Sequence, residues 1–527
     1  MWQNIKLIFI VSLGISTIII SIYIYEYISN KLDLKLKNKN SNINNNHENR
    51  ENLQVLIGKN NEKNVYIPEK GLYQNILITG TIGSGKTSSA MYPITKQLIE
   101  FKCNEPEQKI GMLVLDVKGN YYKEIKKYAT ETNRVSDLII IELGGQYKYN
   151  PLNKPDLKAS VLANRLKVIL ELFSGDTSES YWIDKSEQIL SEAIKLCRIY
   201  NKNYVNFQEI HNLVTNKEYY YEKINICKEI FKQGKLNKED CYNLLTSINF
   251  FEKEFYKLDS RTMSILISQI TRITNCFISD YQVSHTFNPS KNEQNFWGLE
   301  KILEDGKIVV LNMNIAEYKN LSKIIAAYLK LDFQAEVMSR LSNNNKNKTR
   351  IISFISDEYH EYITETDSDF FAQSREAKCI NIVATQSYTS LLKTLGNEPV
   401  LKVIIQNLIN KIWFRTDDTY TIEEAQKQIG KEEQEKISKS ISENAKETKY
   451  SYITNSFKSK DSNISESIST SFEKDYIYNT KFFTQELETF YALAFISTGN
   501  KIIRPQKLKL MPYFMKGREN YEKEKFS

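Results

Sequence analysis

The stretch Asn75 to Ala90, NILITGTIGSGKTSSA, constrains this chain more than any other. Gly80-Thr81-Ile82-Gly83-Ser84-Gly85-Lys86-Thr87 fits the pattern GxxxxGK[ST] in full. Ile76-Leu77-Ile78 ahead of it reads as a short buried strand, and Thr87 onward reads as a helix. Glycines let the backbone wrap closely around phosphates with its N–H groups turned inward. The helix amino terminus adds partial positive charge. Lys86 is placed to reach β- and γ-phosphates and the Thr87 hydroxyl to ligate Mg²⁺, so ATP and Mg²⁺ are the expected cofactors, held by Gly80 through Ser88. Pro93 falls in the second turn of the helix and predicts a kink or a local wide turn.

A phosphate loop of this kind needs a carboxylate at the end of a core strand to position the metal. There are two candidates: Met112-Leu113-Val114-Leu115-Asp116, and Ile351 to Ile355 followed by Ser356-Asp357-Glu358. The second is the fuller signature. Its Asp357 can hold the Mg²⁺ shell, and its Glu358 can orient or deprotonate an attacking water. An acidic pair at a strand end also serves as a helix cap. Asp116 then reads as a neighbouring strand end lining the same crevice. A further strand, Ile380 to Ala384, ends in Thr385-Gln386-Ser387. Gln386 is a candidate sensor of the terminal phosphate or positioner of water, against a plain surface turn. Arg375 is a candidate arginine finger for a neighbouring subunit, with Arg415 as its rival and a solvated helix arginine as the plain alternative.

Leu7 to Tyr25 is almost uninterrupted apolar sequence, long enough to cross a hydrocarbon core of ~30 Å as one helix. Tyr23, Tyr25 and Tyr27 fit an interfacial belt. Lys31, Lys35, Lys37 and Lys39 follow against Asp33, which places the carboxyl-terminal side in the cytoplasm. No small-x-small cleavage site follows, which favours an anchor over a signal peptide. Residues 1–28 are therefore expected to be a transmembrane anchor and 29–54 a polar tether. Strands alternating with helical stretches argue for a doubly wound α/β core, in residues 55–155 and again in 297–527. Between them, 156–296 carries helical spacing with few strand signals, as an inserted all-α domain would. Residues 432–475 are rich in Ser, Lys, Glu and Asn and read as a flexible polar segment or a contact to partner subunits or nucleic acid. Over 527 residues, Lys+Arg 71 against Asp+Glu 64 leaves +7, which excludes a polybasic binder and neither shows nor forbids a DNA partner. Six cysteines without a CxxC pair and four histidines without an HExxH motif argue against a disulfide scaffold and a zinc site.

From roughly Val55 to Leu510 the chain resembles the type IV secretion coupling proteins, the TraG/TraD-like conjugative DNA-transfer ATPases. The pieces that carry the resemblance are, in order, ILITGTIGSGKTSS, LVLDVKGN, YNPL, SYWIDKSEQIL, GKIVVLNM, FISDE, SREAKCINIVATQS and NKIWFRTDD. Asn120 departs from the acidic residue that the family carries after KG, and one span stands where many relatives have two. The resemblance implies a RecA-like P-loop NTPase motor domain with an inserted all-α domain and one N-terminal transmembrane helix. It implies a bacterial membrane protein of single-pass topology, a hexameric ring on the cytoplasmic face. Such a ring recruits a relaxase–DNA complex and uses ATP to feed single-stranded DNA to the secretion channel. By position, Asp357 and Glu358 act as the metal-and-water pair, Gln386 as sensor and Arg375 as finger. The alternative is a related motor that exports protein substrates or pumps double-stranded DNA; a nucleotide-binding scaffold without hydrolysis is a third class.

Overall fold

The computed structural model describes residues 52–514 except 117, 174–179, 314, 319, 343–346, 444–447, 452–455 and 460–463. The expected span at Leu7–Tyr25 and its tether up to residue 51 lie outside these residues. Among the described residues, no helix is long and apolar enough to cross a membrane.

In chain order the strands are β1 (Gln54–Asn60), β2 (Lys63–Pro68), β3 (Ile76–Thr79), β4 (Gly111–Asp116), β5 (Leu138–Ile141), β6 (Ile308–Asn312), β7 (Ile352–Ser356) and β8 (Cys379–Thr385). They continue as β9 (Asn410–Phe414), β10 (Lys431–Glu443), β11 (Thr448–Ser451), β12 (Ser456–Ser459), β13 (Ile464–Tyr476), β14 (Tyr491–Phe495) and β15 (Gln506–Lys509). An 11-stranded sheet runs in the order β2-β1-β15-β14-β9-β3-β8-β7-β4-β6-β5. From β9 to β5 every neighbouring pair is parallel. These strands are short apolar runs with helices between them, as strands covered on both faces must be. β3, β4, β7, β8 and β9 are buried along their whole length. β3 lies between β8 and β9, with Ile76 opposite Ile382 on one side and Asn410 on the other. All parallel strands therefore end at one edge, and the phosphate loop leaves β3 at that edge. Beyond β9 the sheet turns antiparallel through β14, β15 and β1.

Between Ala159 and Phe287 every element of the described residues is a helix. Asn206, Asn216, Asn237, Asp259 and Asp280 each cap the amino terminus of one of these helices, accepting backbone N–H bonds with their side chains. One hydrophobic cluster joins sheet residues such as Leu113 and Val309 to Leu162, Leu166, Phe207 and Phe277 of the helical segment. Between the two parts runs the helix Asn320–Ser342. Its Asp332 is fully buried and is met by Arg165 Nη1 at 2.7 Å, Lys154 Nζ at 3.0 Å and the Tyr149 hydroxyl at 2.7 Å. Two residues back, buried Lys330 donates to Asp367 at 2.7 Å and to the Tyr362 carbonyl at 2.8 Å. Charges this deep persist because each is paired and hydrogen-bonded.

The described residues of 432–475 lie in paired strands. β10 and β13 pair antiparallel from Lys431–Tyr476 to Glu443–Ile464, and β11 pairs with β12 beyond them.

Candidate active site

Gly80, Gly83 and Gly85 take φ values of 155°, 77° and 101°, which L side chains avoid. A Cβ at Gly80 would lie 2.5 Å from Cβ of Phe414, and one at Gly85 would lie 2.6 Å from the Phe490 ring. Ile82 points out of the loop and is exposed. Buried Lys86 folds back along the loop and donates to the carbonyls of Gly80 at 2.5 Å and Thr81 at 3.1 Å. Burial lowers its ammonium pKa, and Glu358 and Asp357 nearby oppose that. The helix opens with a π turn, Lys86–Met91, before continuing as Tyr92–Glu100. This is the wide turn expected around Pro93, whose missing N–H cannot close a regular turn.

The acidic pair meets this loop across the sheet edge. The Thr87 hydroxyl donates to Asp357 Oδ2 at 2.9 Å. Burial, with Glu358 and Asp116 adding like charge, pushes the Asp357 carboxyl up to about 6 against the pull of Lys118. Glu358 follows in the left-handed region, φ 51° and ψ 44°, a costly conformation for a residue with a side chain. Its carboxylate accepts from Gln386 Nε2 at 3.4 Å and lies 3.5 Å from His360 Nδ1. Gln386 also fixes the loop, since its carbonyl accepts from Gly80 N at 3.3 Å. Thr87, Asp357, Glu358 and Gln386 are thus brought together from three strand ends.

Two other candidates stand differently. Asp116 is buried and accepts backbone N–H bonds from Lys118, Asn120 and Tyr121 at 2.8–2.9 Å, so it folds the turn after β4. Arg375 is exposed and precedes β8, whereas Gln386 follows it. The length of β8 separates them, ~20 Å along a strand of this size. Arg375 therefore lies at the opposite edge of the sheet from its own chain's phosphate loop. Arg415 lies beside that loop, its carbonyl accepting from Thr81 N at 2.9 Å.

Motif reading missed Lys118. Its ammonium forms an ion pair with Glu358 Oε1. Burial would raise the Glu358 carboxyl, but Lys118, helped by His360 and Lys86, outweighs it and holds the group below its ordinary value. The sequence set Lys118 in the LVLDVKGN piece, two residues after a strand-end aspartate, without giving it a role. Phe490 and Tyr513 were missed as well: their backbone N–H groups donate to the carbonyls of Ser84 at 3.2 Å and Ser88 at 2.9 Å.

This donor set fits a nucleoside triphosphate with a divalent cation. The glycine cradle excludes Cβ atoms, Lys86 is the buried ammonium within it, and Thr87 with Asp357 offers hard oxygen ligands suited to Mg²⁺.

A family model for the type IV secretion-system coupling protein DNA-binding domain matches residues 292–468. No curated protein matches the chain by sequence. Among solved structures, the bacterial conjugative coupling protein TrwBdeltaN70 in its unbound monoclinic form superposes with a TM-score of 0.57 at 14% identity, over 88% of this chain and 90% of that one. The plasmid coupling protein TrwB in complex with ADP and Mg²⁺ gives 0.56 at 12% identity, over 88% and 90%. TrwB in complex with the non-hydrolysable ATP analogue ADPNP gives 0.53 at 13% identity, over 84% and 86%. The chain therefore carries a domain of the type IV secretion-system coupling protein family, set in a fold shared with the conjugative coupling protein TrwB.

Proposed function

We propose that this chain is a membrane-anchored ATPase that couples ATP hydrolysis to the transfer of single-stranded DNA, carried as a relaxase–DNA complex, into a type IV secretion or conjugation channel. The observation that carries the reading is the meeting of Thr87 with Asp357 while Glu358 and Gln386 stand together beside them. In this reading Gly80–Ser88 bind the phosphates, and Thr87 and Asp357 hold Mg²⁺. Glu358 polarises the attacking water, Gln386 positions it, and Arg375 serves a neighbouring subunit's site. When bound, Mg²⁺ supplies charge neutralisation for the transferred phosphoryl group. The family match over 292–468 supports DNA as the substrate. The TrwB complexes with ADPNP and with ADP and Mg²⁺ support ATP and Mg²⁺ as cofactors. Leu7–Tyr25 would anchor the motor in the bacterial membrane by a single pass with the motor in the cytoplasm, where subunits assemble as a hexamer beside channel and relaxosome proteins.

The test is Lys86→Ala. ATP turnover should fall by about 10²–10³-fold, as when one preorganised charge is removed from a phosphoryl-transfer site, and DNA transfer should stop while membrane insertion persists. Undiminished transfer in this variant would refute the motor. ATPase rates with and without single-stranded DNA, across a salt series, separate the substrates: a rate indifferent to DNA at every salt concentration would favour the protein-export alternative.

A further inference from the structure

One end of the phosphate loop remains without a chemical assignment. On one side of β3 lie β8 and β7, which carry Gln386 and Glu358 at their ends; on the other lie β9 and β14. Phe490 immediately precedes β14, which runs antiparallel to β9, so Phe490 sits at the same edge as the loop. β15 runs back to that edge, and the segment after it stays there: Leu510 N donates to the Phe490 carbonyl at 2.8 Å. The segment is latched to the loop helix by a bond that Pro93 makes available. In the π turn each carbonyl takes the N–H five residues on, as Thr87 does from Tyr92. The corresponding donor for Ser88 would be Pro93, which has none. Tyr513 N fills that place at 2.9 Å. Phe490 is fixed by its own bond to Ser84 and holds φ at 67°, a strained value for a residue with a side chain. The rings of Phe490 and Phe514 lie 6.0 Å apart at 70°, and Phe514 is still 46% exposed beside the loop.

We propose that Phe490 and Phe514 form the base-stacking surface of the nucleotide site, taking the purine of a nucleoside triphosphate whose terminal phosphate lies toward Glu358 and Gln386. The inference rests on the nucleotide-binding reading above and adds which end of the ligand goes where. The catalytic carboxylates stand on the β8–β7 side of the loop and draw the terminal phosphate there, so the base leaves on the β14 side. There the available surface is aromatic, and every base has a π face to lay on it. Phenylalanine rings carry no hydrogen-bonding group to read a base edge, so this surface takes adenine and guanine alike.

The test is calorimetric binding of Mg²⁺–ATP, Mg²⁺–GTP and Mg²⁺–tripolyphosphate to the full chain, its Phe514→Ala variant and its Phe514→Trp variant. Phe514→Ala should weaken ATP and GTP alike by about 5- to 100-fold, the span of one base–aromatic stacking contact. Tripolyphosphate, which has no base, should bind Phe514→Ala as it binds the unmodified chain, and Phe514→Trp should restore the nucleotides. Unchanged ATP and GTP affinity in Phe514→Ala would overturn the proposal. So would an equal loss for tripolyphosphate, which would make the segment a prop for the loop. Failure of the unmodified chain to bind all three ligands would instead overturn the nucleotide-binding reading, and the base surface with it.

Discussion

Glu358 joins the structural and chemical features of this site most tightly. It holds a left-handed backbone conformation that costs of order 1–3 kcal/mol for a residue with a side chain. That turn aims its carboxylate at Lys118, His360 and Gln386 in place of a helix. Strain at such a position persists only when its surroundings over-determine it, and here one ion pair, one amide and one imidazole do so. Glu358→Gln keeps the shape of the side chain and removes its charge and basicity. It should bind Mg²⁺–ATP with near-normal affinity and turn it over about 10²–10⁴ times more slowly, the range for loss of a positioned general base. Single-turnover hydrolysis together with a binding isotherm would check this, and normal turnover would remove Glu358 from the chemistry. Lys86 and Thr87 were legible through the GxxxxGK[ST] pattern, and Asp357, Glu358 and Gln386 because each follows a short apolar run, where a parallel strand delivers side chains to one edge. Lys118 was not legible. It reaches Glu358 because Asp116 gathers the N–H groups of residues 118, 120 and 121 and folds the turn, and no spacing rule encodes that.

At the scale of elements, the buried strands and the helices capped by Asn or Asp were readable, since both rest on local periodicity and capping. The pairings of β1 with β15 and of β14 with β9 were not, because each joins residues distant in sequence. The long β10–β13 hairpin was obscured by composition: its Ser, Lys and Glu content suggests solvent, while the period-two alternation of Ile437-Ser438-Lys439-Ser440-Ile441 suits a strand. The YNPL piece of the resemblance is structural: Tyr149 bonds Asp332, Asn150 Nδ2 bonds the Val205 carbonyl, and the Pro151 carbonyl accepts from Tyr328. Strand β9 carries a more costly element. Lys411 is fully buried and donates to the Leu408 carbonyl at 2.9 Å, and burial alone pushes its ammonium down to about 7. An unfolded lysine titrates near 10.4. Between pH 7 and about 10 the unfolded chain therefore binds the extra proton, and stability rises with pH through that window. Lys411→Met should stabilise the protein at pH 7 by on the order of 1–3 kcal/mol, as hydrophobic replacement of buried charge can do, and the gain should shrink toward pH 10. Melting temperatures across that range would show it; a destabilised variant at pH 7 would mean that the bond to Leu408 outweighs the burial.

Over the whole molecule, the parallel sheet has two different edges. The carboxyl-terminal edge holds the phosphate loop, Glu358 and Gln386. The other edge presents Arg375, exposed, in the turn that leads into β8. A closed ring is built from heterologous, head-to-tail contacts, in which one face of a subunit meets a different face of the next. In the ring we propose, such packing sets the edge bearing Arg375 against the neighbour's nucleotide edge, a position from which a guanidinium can reach a terminal phosphate. Arg415 lies beside the loop of its own chain, where its carbonyl accepts from Thr81 N. Arg375→Ala should then lower turnover by about 10³-fold or more, as loss of a finger supplied in trans does, while ATP affinity stays intact. The decisive measurement uses two inactive proteins. Lys86→Ala lacks a working loop and keeps its Arg375; Arg375→Ala keeps its loop and lacks the finger. Co-expressed in one ring, they create sites in which an intact loop faces an intact Arg375, so ATPase activity should reappear well above the sum of the two homogeneous variants. Activity that stays at that sum would make Arg375 a surface residue of its own subunit. Activity restored by pairing Lys86→Ala with Arg415→Ala would transfer the finger to Arg415.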